Sequence, residues 1–505
     1  MIAKVTIARY PGQVRFLALS GFLLLSCAVA AGDWKITPRF SIEETYTDNV
    51  RLSDVSREGD FITTVSPGVS VRGESARVNS NIDYNRRERF FFDQTQFDGG
   101  NNQLQADVQT ILLKDWLFFD TAGRMSQQSI DSRRNFSQVN RGNNSNLNDV
   151  TSYGLTPRIK HTFGSLGTMD LNYERQTIER DQANGSVPRV PTLFDNAAGS
   201  SDNDSFEVDL RSGSVTGRLP VGINASSRTI EYADGRVDKF KRVSADLSYI
   251  WNTKFRFTGR GGYDDNQYRS SQGLNNGATW SIGGTWTPSS RTSVMVDWGD
   301  RFFGKVLKVN ADHSHRRWRF NFAYDKGVRT SSDFERDLLL IPLFDQNGQP
   351  VFDPVGNGQM FVPIDSPGAT SDVFIEKSIS GQLSYSLRRS NLRLALYQSK
   401  RQFQSTLINE RNRSVTFNVD RQIRPRLRTN LGVQWRDNKS TGVTSTGSYY
   451  SIFPAIDYDL NRSTTARLRY EYTVNDHGSL GGRGFNSGQE TYIENAVTAS
   501  LIFHL

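Results

Sequence analysis

The chain has few of the residues that impose covalent or sharp structural constraints: its 505 residues include one cysteine and 15 prolines. The cysteine, Cys27, lies in an N-terminal stretch that we expect to be removed. The mature chain would then lack a disulfide framework, a thiolate metal site and a cysteine nucleophile. Long hydrophobic runs are also scarce. A helical membrane span needs about 20 mostly apolar residues, and only the extreme N-terminus offers a candidate, which excludes a bundle of membrane helices.

The remaining composition predicts a folded protein with two kinds of surface. Glycine occurs 42 times without a regular period, which excludes a collagen-like chain. Aromatic residues make up 11% of the sequence, too many for a solvated coil, yet the mean hydropathy is -0.55. A polar average with many aromatics is typical of a transmembrane β-barrel, because each strand pairs an apolar face with a polar one.

Residues 1–31 have the pattern of a secretory signal peptide. Three basic residues precede a short apolar stretch: Lys4, Arg9 and Arg15. The small residues that signal peptidase requires are Ala28, Ala30 and Ala31. Cleavage here would lower the formal net charge from +8 to +5. Two alternatives are a retained membrane anchor and a lipoprotein site in which Cys27 carries the lipid.

From about residue 33 onward, apolar and polar residues alternate with a period of two, the pattern of a strand with two unlike faces. One clear hairpin runs through residues 450–474 and turns at residues 461–463. The same pattern recurs around residues 243–263, 280–298, 379–396 and 415–435. We count about 22 such strands, within a range of about 18 to 24.

An all-β sandwich would also alternate, but three features favour a barrel. The hairpins form one unbroken series. The turns alternate between short and long; the long connections are 127–150, 179–204, 326–372 and 475–489. Aromatic residues gather beside both kinds of turn, as at the two membrane interfaces. We therefore predict an all-β fold: one transmembrane, antiparallel, up-and-down barrel over residues 32–505.

The C-terminal segment agrees with this architecture. Residues 497–505 alternate to the end of the sequence, ending in Phe503, His504 and Leu505, and would close the sheet on the first strand. The first strand begins near Trp34, which leaves no room for a plug domain of about 150 residues. We expect a bacterial outer-membrane location and contact with outer-membrane lipid.

The polar face of the strands should line the lumen. The candidate lumen-lining residues are Arg256, Arg260, Arg317, Arg319, Arg426, Arg428, Arg436, Asp170, Glu174 and Asp209. Inward charges of both signs could simply pair across strands. Alternatively, an arginine-rich wall could favour anionic solutes. A circular barrel of this size would be roughly 45 Å across, so we expect it to be flattened or partly filled by loops.

The connection 326–372 is the best candidate for filling the lumen, with residues 338–344 as an apolar anchor; the alternative is an extracellular flap or a surface partner site. Inward Tyr397 and Phe453, with Arg393 and Asp457, could offer a track for sugars, or they could serve packing alone.

The sequence contains no set of residues that indicates catalysis. His313 and His315 could chelate a metal ion, but no third ligand lies nearby in the sequence. No Walker loop or zinc-protease motif occurs. We expect no enzyme activity, no cofactor and no metal. The arginines alternate along strands rather than clustering, which also argues against nucleic acid.

Several motifs in their order resemble a known family. They are 42–50 (IEETYTDNV), 66–69 (SPGV), 286–292 (WTPSSRT), 301–304 (RFFG) and 314–318 (SHRRW). They resemble the PEP-CTERM system-associated outer-membrane proteins, a β-barrel porin family. The resemblance spans nearly the whole mature chain and implies a link to exopolysaccharide production and exosortase-processed proteins. It supplies no catalytic or binding residues.

These observations lead to one main expectation and two alternatives. The main one is a channel or assembly component for exopolysaccharide export, with exopolysaccharide and periplasmic export components as partners. The alternatives are a sealed structural barrel that anchors surface or matrix proteins and a porin for small solutes. Strand number, lumen occlusion and cargo stay open at this stage.

Overall fold

The computed structural model describes residues 32–129, 137, 147–182, 200–271, 273, 275–336, 340–342, 361–363, 372–441, 445–479 and 491–504. The predicted signal peptide, with Cys27 and the cleavage alanines, lies outside the described residues. So does most of the predicted apolar anchor at 338–344. Among the described residues, no helix is long and apolar enough to cross a membrane.

The period-2 segments form 22 long strands in one antiparallel sheet. The strands are β1 (Gly32–Thr47), β2 (Asp60–Ser75), β3 (Val78–Phe91), β4 (Gly99–Leu113), β5 (Leu117–Ser129), β6 (Leu147–Thr162), β7 (Gly167–Gln182), β8 (Ser201–Ser212), β9 (Val221–Tyr232), β10 (Val237–Ile250), β11 (Phe255–Gln267), β12 (Gly277–Ser289), β13 (Thr292–Arg301), β14 (Gly304–Ser314), β15 (Trp318–Arg329), β18 (Phe374–Leu387), β19 (Ser390–Phe403), β20 (Asn409–Arg424), β21 (Leu427–Ser440), β22 (Ser445–Asp459), β23 (Thr464–Ser479) and β24 (Tyr492–His504).

Short elements occupy some of the connections. A two-stranded ribbon, β16 (Leu340–Pro342) with β17 (Phe361–Pro363), and the helix α1 (Ser331–Arg336) lie between β15 and β18. Two single 3-10 turns, Thr95–Phe97 and Ser214–Thr216, complete the described helical structure. The predicted fold class and the strand number are confirmed.

The sheet closes because β1 pairs with β24, from Arg39 opposite His504 to Thr47 opposite Ala496. From Arg39 to Thr47 the first and last strands cover each other's edge, so their ladder hydrogen bonds are made within the barrel. This satisfies the backbone without disulfides.

Polar side chains reinforce the β1–β24 seam just beyond its last ladder pair. The carboxylate of Asp48 accepts hydrogen bonds from the backbone N and the Nδ2 of Asn495, both at 2.7 Å. The amide of Asn49 donates to the backbone oxygen of Ile493 at 2.9 Å. Asp48 and Asn49 belong to the 42–50 motif, so part of this motif fastens the barrel closed.

The two ends of the barrel differ, although less regularly than the sequence predicts. One end, which we call the short-turn rim, carries both the beginning of β1 and the end of β24. The other end carries the longest connections. The predicted strict alternation of lengths is wrong, because Phe302–Phe303 alone joins β13 to β14 at the long-loop end. Gly304, at φ +90°, makes this tight reversal possible.

The outward faces of the strands are apolar and carry aromatic residues toward both ends. Beside the short-turn rim, exposed aromatics include Trp116, Phe163, Tyr249 and Trp286. Toward the long loops they include Tyr46, Tyr173, Tyr263 and Trp298. Such exposed apolar surface is stable in lipid, where aromatic rings prefer the two interfaces. Short turns face the periplasm in barrels of this kind, which fixes the orientation.

Candidate functional site

The inner face of β8–β15, which we call the open half of the wall, surrounds a cleft of about 390 Å³. Its basic lining residues are Arg211, Arg242, Arg260, Arg301, Lys308 and Lys326. Its acidic lining residues are Glu207, Asp209, Asp246, Asp297, Asp300 and Asp325. The two signs balance, so the cleft has no net charge from these groups. The anion preference expected from the arginines alone therefore does not follow for this part of the wall.

Two inward glycines leave room for acidic side chains of the cleft. A Cβ atom on Gly283 would lie 2.0 Å from the carboxylate of Asp297, and one on Gly222 would lie 2.6 Å from that of Asp246. Both glycines occupy inward positions in the register, so the carboxylates lie over bare backbone. Larger residues at these two positions would displace the acidic side chains of the cleft.

Asp264 organises one side of the cleft. Its side chain is only 2% exposed and holds two arginines, with Arg242 Nε at 2.7 Å and Arg301 Nη2 at 2.9 Å. The guanidinium of Arg301 also lies 4.8 Å from the ring centre of Phe303. Charge-assisted bonds of this kind fix guanidinium planes while leaving other donors free. The cleft can therefore hydrogen-bond a hydroxyl-rich or mixed-charge solute.

The helix α1 lies inside the barrel against the strands next to the cleft. Its N-terminus carries one half of a capping box: Asp333 Oδ2 accepts from the backbone N of Thr330 at 2.7 Å and from its Oγ1 at 3.0 Å. The same carboxylate forms an ion pair with Arg228, an inward residue of β9. Ser332 faces inward residues of β7–β9 across a small cavity. The start of the connection, residues 330–333, therefore lies against the inner wall, whereas most of the predicted apolar anchor at 338–344 lies outside the described residues.

Other loop-end residues join across the mouth, and with α1 they form what we call the outer closure. Ser271, between β11 and β12, donates from its backbone N and its Oγ to the carbonyl of Gln404, at 2.9 and 2.8 Å. Gln404 lies between β19 and β20, far around the barrel. Next to it, Ser405 Oγ donates to Asp372 at 2.5 Å. Burial raises the pKa of Asp372 above its ordinary value.

A second part of the wall, β18–β24 together with β1–β3, is what we call the closed half; β4–β7 separate β3 from β8 and belong to neither part. Many of its inward polar residues are buried, and several of its charges form ion pairs. Arg401 Nε lies 3.0 Å from Glu376, and Arg467 Nε lies 2.6 Å from Asp457. Ser137, from the connection between β5 and β6, donates to Glu494 on β24. Because most of these groups are buried, they are largely inaccessible to a solute.

The suggested sugar track falls in the closed half and is used for packing. Tyr397 is buried, and Arg393 and Asp457 are both ion-paired. The ring of Phe453 lies where a Cβ atom on Gly432 would be, within 1.9 Å. This aromatic residue fills the space above a glycine on the neighbouring strand rather than presenting a face to the lumen.

The structure places the predicted lumen-lining residues in two kinds of position. Eight lie at inward register positions: Asp170, Glu174, Asp209, Arg256, Arg260, Arg319, Arg428 and Arg436. Arg317 and Arg426 instead lie in turns of the short-turn rim, because their strands end before the alternation does. Only Asp209 and Arg260 line the cleft.

Of the others, Arg428 pairs with Asp459 at 2.9 Å, and the guanidinium of Arg436 lies 5.5 Å from the ring centre of Tyr449.

Sequence reasoning missed Arg228, Asp333 and Asp264. The Thr330-to-Asp333 spacing is a capping-box signal that was present in the sequence. Nothing in the sequence signals that Arg228 lies beside it, 105 positions away.

Three of the five histidines, His161, His313 and His315, belong to the aromatic belt beside the short turns. The ring of His161 lies 4.2 Å from that of Trp116, and the rings of His313 and His315 lie 4.7 and 6.3 Å from that of Trp318. In the part of the chain that the structure describes, no three His, Cys, Asp or Glu side chains are grouped to hold a metal ion.

A closed 22-strand barrel with an apolar, aromatic-belted exterior and a polar lumen defines the class: this chain is a bacterial outer-membrane β-barrel. Solved outer-membrane receptors share the architecture. A mutant of the ferric enterobactin receptor PfeA from Pseudomonas aeruginosa matches 94% of this chain and 81% of its own, with 9% identity and a TM-score of 0.51.

A variant of the FrpB iron transporter from Neisseria meningitidis matches 95% of this chain and 82% of its own, with 11% identity and a TM-score of 0.50. At such low identity the likeness shows the fold alone. No protein-family model matches the chain, and no curated protein matches it significantly.

Proposed function

We propose that this barrel is a non-enzymatic channel or assembly component for exopolysaccharide export, working with the PEP-CTERM and exosortase system. The observation that carries the proposal is the charge-balanced, hydrogen-bonding cleft on the open half of the wall. The motif resemblance supports the biological setting. Periplasmic export components and the polysaccharide itself are the partners we infer.

The chemistry of the cleft suits a sugar chain. Carboxylates accept from sugar hydroxyls and guanidinium groups donate to them, so neighbouring groups of both signs can bind many hydroxyls in sequence. Because water also reaches the cleft, no single contact is strong. A polymer could therefore exchange contacts as it moves, whereas a dry, deep pocket would trap it.

A sealed structural barrel is the second candidate, and the outer closure favours it. Contacts from Ser271 to Gln404 and from Arg228 to Asp333 join distant strands at the loop end. If these contacts persist, the loops would present a surface for anchoring matrix proteins. A small-solute porin would need the same cleft with a narrower exit.

Reconstitution into planar bilayers, with conductance and polymer-exclusion measurements, separates these candidates. An export channel should conduct and should admit sugar oligomers. Ser281, which lines the cleft, and Ile282, which is exposed on the lipid face, provide a matched pair of neighbours. We expect Ser281→Trp to lower conductance and the exclusion limit, and Ile282→Trp to change neither.

The absence of conductance would favour the sealed barrel. Deleting the gene tests the biological role: loss of surface polysaccharide is expected, and unchanged surface polysaccharide would rule out export.

A further inference from the structure

Beyond the cleft, the strongest unexplained feature is a set of arginines on the short-turn rim, which we call the arginine arc. It comprises Arg291, Arg316, Arg317, Arg388, Arg389, Arg426 and Arg462. They occupy the five consecutive turns from β12–β13 to β22–β23, and all are exposed. Those turns contain no acidic residue. Neighbouring turns lie roughly 10 Å apart, since two strand spacings separate them.

The arc is not neutralised by the protein. Among the residues that the structure describes, none of the seven forms an ion pair, whereas the acidic groups nearby are already engaged. Asp459 pairs with Arg428 at 2.9 Å, and Asp420 pairs with Arg393. Seven unpaired guanidinium groups on one rim create a strong positive field at the periplasmic mouth.

The positive surface continues into the lumen. Arg256 and Arg319 occupy inward positions just beyond the turns at 251–254 and 315–317. Across the described chain they too form no ion pair, and the inward side of β11 then leads to Arg260 in the cleft. A lipid headgroup could reach the turn tips but not these inward positions. The lipid-facing side of the same turns carries apolar residues such as Leu387 and Tyr458.

We propose that the arginine arc is a docking surface for an acidic polysaccharide, which it gathers at the periplasmic mouth and passes toward the cleft. This inference rests on the proposed export function and narrows its substrate to a carboxylate-bearing polymer. Guanidinium groups bind carboxylates in a bidentate manner, and an arc of them matches a repeating anionic chain.

Binding in nanodiscs of phosphatidylcholine tests the proposal without a requirement for transport. The probe is a fluorescent oligogalacturonate, with a dextran oligomer of matched length as the neutral probe. The arc variant is R316Q/R317Q/R388Q/R389Q. The control variant removes the same number of charges near the other side of the rim, K35Q/R77Q/K114Q/R218Q. Circular dichroism and heat-modifiable migration verify that each variant folds.

The wild type should bind oligogalacturonate, and this binding should weaken as salt is added. It should bind dextran far less. The arc variant should lose about tenfold in affinity, because four exposed pairs each contribute modestly, and the control variant less than about twofold. Equal binding by the arc variant and the wild type, or by oligogalacturonate and dextran, would overturn the proposal.

Nanodiscs containing phosphatidylglycerol test the lipid alternative. If the arc variant loses only phosphatidylglycerol enrichment and keeps its oligogalacturonate affinity, the arc binds lipid and our proposal is wrong. Failure of the export function would look different. A sealed barrel, or unchanged surface polysaccharide after gene deletion, would reject export while arc-dependent binding persisted. If the barrel conducts but the arc variant binds oligogalacturonate as the wild type does, only the docking role of the arginine arc is rejected.

Discussion

The two halves of the barrel wall use similar residues in opposite ways. In the closed half, several inward charges are buried in ion pairs, as in Arg401 with Glu376. The open half also holds the buried pairs of Asp264, but there some inward charges remain exposed beside the cleft, as Arg260 does. The strands also differ in length, from ten residues in β13 to 16 in β20 and β23. The same inward arginine can thus support the fold in one half and remain available to solutes in the other.

The sharpest way to break this comparison is to remove one partner of a buried pair. Arg401→Met should lower the free energy of unfolding by about 3–5 kcal/mol, because Glu376 would stay buried without its cation. Chemical denaturation with refolding into lipid vesicles measures this. Arg260→Met, in the open half, should cost less than about 0.5 kcal/mol.

If Arg260→Met lowers the free energy of unfolding as much as Arg401→Met does, the two halves do not differ in how their inward arginines support the fold. The double variant R401M/E376L should recover most of the loss, because it leaves no unpaired buried charge.

The seam gives the second largest expected effect. Asp48→Ala should lower the free energy of unfolding by about 2 kcal/mol, since its carboxylate accepts two hydrogen bonds from Asn495. Asp54→Ala serves as the control, because Asp54 lies in the same connection and forms only an exposed pair with Arg57. The same denaturation assay applies, and equal losses in both variants would contradict a specific role in closure.

The outer closure sharpens the comparison at the loop end. Arg228→Gln should free the start of α1, so hydrogen exchange at the Thr330 amide should quicken by about tenfold. Hydrogen-exchange mass spectrometry of the peptide around residue 330 measures this. Arg51→Gln, which removes an exposed pair with Glu58 on the same rim, should leave that peptide unchanged. Unchanged exchange in Arg228→Gln would show that this ion pair does not hold α1.

The smallest expected effect is a pH dependence of the outer closure. Because the pKa of Asp372 is raised in the folded state, its contribution to stability is complete below the ordinary pKa and is lost as pH rises through the raised value. The Gln404 amide, bonded to Val373, should therefore open more readily at about pH 7 than at about pH 4. After the exchange rates are corrected for the intrinsic pH dependence of amide exchange, Asp372→Asn should reduce this difference between the two pH values. A reversed trend in the wild type would refute the assignment.

Much of the wall could be predicted from the sequence because the strand period is a local property. Alternation places Arg256 and Arg319 on the inner face without any knowledge of their neighbours. The same reasoning misplaced Arg317 and Arg426, since alternation does not mark where a strand gives way to its turn. The His313 and His315 pair likewise needed the structure, which shows both rings against Trp318.

The sequence by itself determined the barrel: a two-residue period, turn residues between strands and an apolar outward face are all encoded within a few neighbouring positions. Only the tertiary structure decided which inward charges are paired and which remain free. Arg228 meets Asp333, and Ser271 meets Gln404, across more than 100 positions. Such groups come together because the sheet closes and one connection folds inward. No local sequence pattern indicates which distant residues will then be in contact.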